Sequence, residues 1–73
     1  MASEQKYQKL LMKVARNVKR VRELKGLTQE DMAGYGFNYR HYQRIESGKH
    51  SFNLYTLYRL SAVFRVNVSA FFQ

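Results

Sequence analysis

The chain has 73 residues, of which 45% are hydrophobic, so it can form one small domain with a packed core. It has no cysteine, which excludes disulfides, thiol catalysis and cysteine-ligated zinc. The net charge of +8 favours an anionic partner, either nucleic acid or an anionic membrane. No apolar run reaches the roughly 20 residues of a membrane span, and no signal-peptide apolar region is present. We therefore expect a cytoplasmic protein that is not held by a membrane.

The first predicted element is a long amphipathic helix over residues 6–25, after a disordered polar segment at residues 1–5. Its apolar residues recur at steps of three and four, which is the spacing of one helix face. They are Tyr7, Leu11, Val14, Val18 and Val21. Gly26 is expected to end the helix. Lysines and arginines cover much of the remaining surface. They could lie on a membrane, contact DNA or be solvated, and we favour solvation because the core needs the apolar stripe.

One local pattern then occurs four times and predicts four helix starts. A hydrophobic residue precedes a capping side chain, and a second hydrophobic residue follows five positions after the first. The matches are Leu27–Thr28–Met32, Phe37–Asn38–Tyr42, Phe52–Asn53–Leu57 and Val66–Asn67–Phe71. Helix 3 is predicted at 39–46 and helix 4 at 54–64, with an apolar stripe of Leu54, Leu57, Leu60 and Phe64. The expected fold is an all-α, compact five-helix bundle that makes residues 1–73 a single domain.

Two segments of the sequence resemble a known family. Residues 18–33 read VKRVRELKGLTQEDMA, and residues 44–49 read RIESGK. Both are similar to the lambda-repressor-like, Xre-type helix-turn-helix domains, and the resemblance covers about residues 14 to 72. It implies a five-helix fold, double-stranded DNA binding in transcription regulation, and a structural ion pair between Arg22 and Glu46. Between Ala33 and Glu46 the chain is one residue shorter than the commonest family pattern.

Helix 3 carries the predicted DNA-reading surface. With Asn38 as its cap, Tyr42 and Ile45 are expected to point inward. In a helix-turn-helix protein the N-terminal part of this helix enters the major groove. Arginine can bond guanine and glutamine can bond adenine through paired hydrogen bonds, and tyrosine can touch a thymine methyl or a phosphate. The residues predicted to contact bases are Tyr39, Arg40, Gln43 and Arg44, with a solvated helix face as the alternative.

The starts of helices 2 and 4 are predicted to contact the DNA backbone, because free N–H groups and the dipole at a helix start attract phosphate. The loop after helix 3 is predicted to grip the backbone as well. The resemblance makes Gln29 a phosphate contact that also supports helix 3, whereas capping alone explains Thr28 equally well. For Lys49 and His50 the alternative is a flexible charged loop. Two histidines without cysteines or clustered carboxylates make a poor metal site, so we expect no metal and no cofactor. The predicted backbone contacts are Thr28, Gln29, Lys49, His50, Ser51 and Asn53.

The C-terminal residues Val68, Phe71 and Phe72 have no later element to cover them. Either they pack on their own core, or a twofold dimer contact buries them, and we favour the dimer. Its two recognition helices would lie about 34–36 Å apart, one turn of DNA.

These features predict a homodimeric, sequence-specific double-stranded DNA-binding transcriptional regulator that blocks or contacts RNA polymerase. The alternative is a protein-interaction or antitoxin-like module of the same fold with weak DNA binding, which would use Tyr35, Tyr55 and Tyr58. An enzyme is the least expected class, because no nucleophile–base–acid set and no phosphate-cradling loop are visible.

Overall fold

The computed structural model describes residues 2–73, with side chains from residue 4 onward. Five helical segments follow one another, and the described residues contain no strand, so the predicted all-α five-helix fold is confirmed. Helices 2 and 5 are 3-10 helices, and the other three are α-helices. The segments are helix 1 (Ala2–Leu24), helix 2 (Glu30–Tyr35), helix 3 (Tyr39–Ser47), helix 4 (Leu54–Phe64) and helix 5 (Val68–Phe72). Within residues 2–73 no helix is long and apolar enough to cross a membrane.

Helix 1 starts earlier than the sequence indicates. It begins at Ala2, within the segment expected to be disordered, and Glu4 in its first turn suits the positive end of the helix dipole. Met1, the first residue of the segment expected to be disordered, lies outside the described residues.

The predicted apolar stripe of helix 1 is buried except at its N-terminal end. Tyr7 is 46% exposed, because it lies beyond the buried stretch, and its hydroxyl is 2.6 Å from the Ser51 hydroxyl. The buried residues of this face are Leu11, Val14, Ala15, Val18 and Val21.

The three asparagines at the predicted helix starts all act as caps. Asn38 Oδ1 accepts a hydrogen bond from the His41 backbone N–H at 3.1 Å. Asn53 Oδ1 accepts one from the Thr56 backbone N–H at 2.9 Å. Asn67 Oδ1 accepts one from the N–H two residues later, also at 2.9 Å. Each cap satisfies a backbone donor that would otherwise have no partner, so the three asparagines mark where helices 3, 4 and 5 begin.

A reciprocal pair of hydrogen bonds lies at the start of helix 2. The Thr28 N–H donates to Asp31 Oδ2 at 2.7 Å, and the Asp31 N–H donates to the Thr28 hydroxyl at 3.1 Å. The backbone of Thr28, and then its side chain, lower the pKa of the Asp31 carboxyl. Helix 2 itself has six residues, and Gly36 caps its C-terminal end with a left-handed φ of 89°.

Helices 4 and 5 close the core with three differences from the predicted pattern. Leu54 is 74% exposed, because it is the first residue of helix 4 and the buried face of that helix is formed by later residues. Phe71 is 0% exposed, and its ring packs edge-to-face on Phe64 at 6.4 Å. The Asn17 amide donates to the Phe71 carbonyl at 3.0 Å and holds helix 5 on helix 1. Phe71 is therefore buried in its own core, which was the alternative to the dimer contact, and Val68 packs partly buried against the same core.

Gly48 and Gly26 provide a matched test of how closely helix 3 approaches helix 1. Both adopt left-handed φ angles, 72° and 74° respectively. A Cβ at Gly48 would lie 3.3 Å from the Met12 Cα, whereas a Cβ at Gly26 would meet nothing within 4 Å. We expect Gly26→Ala to cost about 1–2 kcal/mol of unfolding free energy from backbone strain alone. Gly48→Ala should cost about 1–3 kcal/mol more, because the added methyl group overpacks the contact.

Urea denaturation of the two glycine variants measures this difference in unfolding free energy. Equal losses in both variants would contradict a tight contact between Gly48 and helix 1.

Candidate nucleic-acid interface

Helix 3 has two opposite faces. Tyr42 and Ile45 are buried, at 0% and 1% exposure. The four residues predicted to contact bases all lie on the exposed side, and the Gln43 amide donates to the Tyr39 hydroxyl at 3.0 Å. The helical spacing explains this, because positions three and four apart share a face. The exposed set is Tyr39, Arg40, Gln43 and Arg44.

An open cleft runs from this face to the loop after helix 3. It has a volume of about 390 Å³ and holds two of the predicted backbone contacts, Lys49 and His50. Among the side chains that the structure describes, no carboxylate pairs with Arg40, Arg44 or Lys49. Their charges are therefore available to an anionic ligand. The cleft is lined by Arg40, Gln43, Arg44, Ser47, Lys49 and His50.

A smaller pocket of about 220 Å³ lies beside the cleft, and Arg44 lines both. Two of its lining residues, Ile45 and Phe52, are apolar. The other lining residues have side chains that can hydrogen-bond a phosphate oxygen. They are His41, Arg44, His50 and Ser51. His41 was not among the predicted contacts, and its position one turn before Ile45 on helix 3 is the signal that places it here.

A buried ion pair fixes helix 3 against helix 1. Arg22 Nε lies 2.7 Å from Glu46 Oε2, and Arg22 Nη2 donates to Glu46 Oε1 at 3.1 Å. The two side chains are only 8% and 3% exposed. Arg22 Nη1 also donates to the Leu27 carbonyl at 2.6 Å. The guanidinium thus joins the end of helix 1, the segment before helix 2 and the last turn of helix 3, and the hydrogen bond to Glu46 raises the pKa of Arg22.

Glu46 accepts two further hydrogen bonds that complete its environment. Gln29 Nε2 donates to Glu46 Oε1 at 3.0 Å, and the Tyr42 hydroxyl donates to Glu46 Oε2. Burial, and then the hydrogen bond to Glu46, raise the pKa of the Tyr42 hydroxyl well above its ordinary value. No buried side-chain nitrogen or oxygen of the described residues lacks a partner. Helix 3 is therefore held by a fully bonded network, which stabilises one orientation of its outward face.

The Glu46 network predicts a loss of stability in acid. Burial alone would raise the pKa of the Glu46 carboxyl, but the hydrogen bonds from Arg22, Tyr42 and Gln29 outweigh it and lower the pKa. A lowered pKa in the folded state contributes stability above the unfolded value, 4.5, and this stability is lost as pH falls through the folded value. We expect the urea midpoint to fall on acidification below about pH 4.5 and Glu46→Gln to reduce that dependence. If the urea midpoints of the wild type and Glu46→Gln changed equally with pH, ionised Glu46 would not be the source of the acid sensitivity.

The predicted backbone contacts fall into two groups. The Thr28 hydroxyl and the Asn53 side-chain oxygen serve as caps, Gln29 is bonded to Glu46, and the Ser51 hydroxyl is bonded to Tyr7. The side chains of Lys49 and His50, by contrast, make no hydrogen bond within the described residues and line the cleft. The first group therefore has a structural role already, and any phosphate contact by its members adds to that role.

Arg59 is a positioning residue that the sequence analysis missed. Its guanidinium lies 4.2 Å from the centre of the Phe37 ring and donates to the Gly36 carbonyl at 3.2 Å. These contacts fix the turn between helices 2 and 3 from a residue of helix 4. No local pattern could have found the pairing, because the hydrogen-bonded partners are 23 positions apart.

The tight turn, the capped and anchored helix 3 and its exposed cationic face define a helix-turn-helix protein. Residues 18–71, well over half of the chain, match the family model HTH_3, described as "Helix-turn-helix". The chain therefore belongs to the lambda-repressor-like, Xre-type helix-turn-helix family, which is a family of DNA-binding regulatory domains. No curated protein and no solved structure matches the chain. Within the described residues no group of three or more histidines, cysteines or carboxylates could hold a metal ion.

Proposed function

We propose that the protein is a sequence-specific transcriptional regulator that inserts helix 3 into the major groove of double-stranded DNA in the cytoplasm. In this role Tyr39, Arg40, Gln43 and Arg44 contact base edges. Lys49, His50 and Ser51, with the starts of helices 2 and 4, contact phosphates on either side. The single observation that carries this proposal is the outward face of helix 3, where exposed side chains able to read bases stand on a helix fixed by a buried, fully bonded network.

We propose further that the regulator binds as a homodimer. The support lies at the C-terminus, where Phe72 is 44% exposed and lines an apolar pocket of about 120 Å³. Tyr7 and Leu10, 46% and 45% exposed, line the same pocket. A twofold contact through Phe72 would bury this apolar surface and place two copies of helix 3 on a near-palindromic site.

Selection of bound duplexes from a random double-stranded DNA library tests the proposal. The salt concentration should be about 150 mM, where non-specific attraction is partly screened. We expect enrichment of an inverted repeat whose half-sites lie about one DNA turn apart. Enrichment of a single half-site would keep the DNA-reading role and remove the dimer. Binding without any enriched sequence would remove the proposed function.

A protein-interaction module is the second candidate, and helix 4 supplies the observation that favours it. Tyr55 and Tyr58 stack at 6.5 Å between ring centres and are 66% and 64% exposed. Leu54 beside them is 74% exposed. Aromatic side chains are enriched at protein interfaces. The double variant Arg40→Gln/Arg44→Gln separates the two functions, because it should abolish specific DNA binding and leave a partner on helix 4 bound.

A further inference from the structure

Both histidines of the chain line the same small pocket, here called the histidine pocket. It is the pocket of about 220 Å³ beside the cleft. His41 reaches it from helix 3, and His50 reaches it from the loop that follows that helix. Arg44, one turn after His41, lines it as well, and all three side chains are exposed. The fold therefore gathers two imidazoles and a guanidinium around one small volume.

The histidine pocket borders the surface that helix 3 presents to DNA. Arg44 and His50 line both the pocket and the cleft that holds Arg40 and Gln43. A helix seated in the major groove has a phosphate backbone on either side of it. The edge of helix 3 that carries Arg44 leads into the pocket, so the backbone on that side passes the two histidines.

No acidic side chain lines the histidine pocket or the cleft. Neither imidazole has a hydrogen bond or an ion pair within the described residues. The charged neighbours of the histidines are all cations, namely Arg44 in the pocket and Arg40 and Lys49 in the adjoining cleft. This concentration of positive charge suits an anion. A metal ion is disfavoured, because two histidines lack further ligands in the described residues and a guanidinium stands beside them.

The elements packed behind the loop add no opposing charge to the pocket. Helix 1 contributes Tyr7, whose hydroxyl is 2.6 Å from the Ser51 hydroxyl. Glu4 lies one turn before Tyr7 on helix 1 and does not line the pocket. Helix 4 begins at Leu54, and positions 51 to 58 carry no charged residue.

We propose that His41 and His50 together bind one backbone phosphate of the bound duplex in their charged form, with Arg44 adding its charge beside them. The step rests on the DNA binding proposed above and adds His41 to the residues that contact DNA. Histidine changes its charge between about pH 5 and 8, and a bound phosphate favours the charged form. DNA binding therefore takes up protons, and by reciprocity a fall in pH through this range tightens DNA binding.

Operator affinity at about pH 8 and about pH 6, in about 150 mM salt, measures this coupling. Each proton taken up changes the affinity about tenfold per pH unit. An average uptake of only about half a proton thus makes wild-type binding about tenfold tighter at the lower pH. The salt slope should also steepen by about 0.9 for each imidazole that becomes a phosphate contact. Titration calorimetry in two buffers of different ionisation enthalpy counts the protons directly.

His41→Gln/His50→Gln removes both imidazoles and should flatten the pH response. The chain has no cysteine, so no other type of side chain in it ordinarily changes charge in this range. Glutamine is a good helix former and both sites are exposed, so the variant should fold, which circular dichroism verifies. Lys49→Gln is the control, because it removes a cation from the adjoining cleft and should weaken binding while keeping the wild-type pH response.

A wild-type affinity that stays the same at both pH values would overturn the proposal, and so would an equal pH response in the double histidine variant. Proton uptake with inorganic phosphate but none with the duplex would also overturn it, since the pocket would then serve a free anion. Failure of the proposed function is distinguishable, because it appears at a single pH as equal affinity for operator and scrambled duplexes. A random-sequence duplex scores the pocket in either case, since a phosphate contact reads no bases.

Discussion

Glu46→Ala should lower the free energy of unfolding by about 3–5 kcal/mol, because it leaves the buried Arg22 guanidinium without its carboxylate. The same change removes the acceptor of Gln29 and of the Tyr42 hydroxyl, two further donors inside the network. A domain of this length has a total stability of only about 4–11 kcal/mol. The variant should therefore melt at a much lower temperature or be largely unfolded, and calorimetry or thermal circular dichroism measures this.

Glu23→Ala is the matched control for Glu46→Ala. Glu23 is an exposed glutamate on helix 1, so its loss should change the unfolding free energy by no more than about 0.5 kcal/mol. A Glu46→Ala variant that melts with the Glu23→Ala control would show that the ion pair does not hold helix 3 in place. Arg22→Ala should resemble Glu46→Ala, because either change leaves one buried charge unpaired.

Arg40→Ala should weaken operator binding by about 1–3 kcal/mol, or roughly 5- to 150-fold, if Arg40 forms paired hydrogen bonds with a base. The loss should be confined to specific binding, and the preference at one base pair of the operator should relax. Lys49→Ala should behave differently, since a phosphate contact weakens binding to all sequences and lowers the salt slope by about 0.9. Fluorescence anisotropy on the operator and on a scrambled duplex, over a range of salt, measures both effects.

Arg65→Ala controls for the charge lost in these DNA-binding variants. Arg65 is an exposed arginine at the end of helix 4 and does not line the cleft. Arg65→Ala therefore removes the same charge as Arg40→Ala, but outside the cleft. An Arg40→Ala variant that loses equal affinity for operator and scrambled duplexes would make Arg40 a phosphate contact. An Arg40→Ala variant indistinguishable from Arg65→Ala would place Arg40 outside the DNA interface.

The helix starts could be predicted because their signals are local. Asn38, Asn53 and Asn67 each bond a backbone N–H two or three residues away, so the sequence within one turn determines the cap. The same holds for the two faces of helix 3, which follow from its period of 3.6 residues. The bonding of Arg22 to Glu46 was expected only through the family resemblance, since no local rule joins positions 24 apart.

The features that the sequence analysis missed depend on packing between distant segments. The sequence left open whether Phe71 packs on its own core, and in the structure Phe64 and helix 1 enclose it. Leu54 fits the apolar period of helix 4 and is nevertheless exposed, because the helix begins at the edge of the core. Arg59 has no pattern that distinguishes it from a solvated arginine until the Phe37 ring lies beneath it.

The most direct test is a map of backbone amide chemical shifts in the protein as the library-selected duplex is added at about 150 mM salt. If helix 3 reads the major groove, the largest changes should fall at residues 28–29, 38–44 and 49–53. The outer face of helix 4, with Tyr55 and Tyr58, should change little. Changes centred on helix 4, or spread evenly over all basic residues, would contradict DNA reading by helix 3.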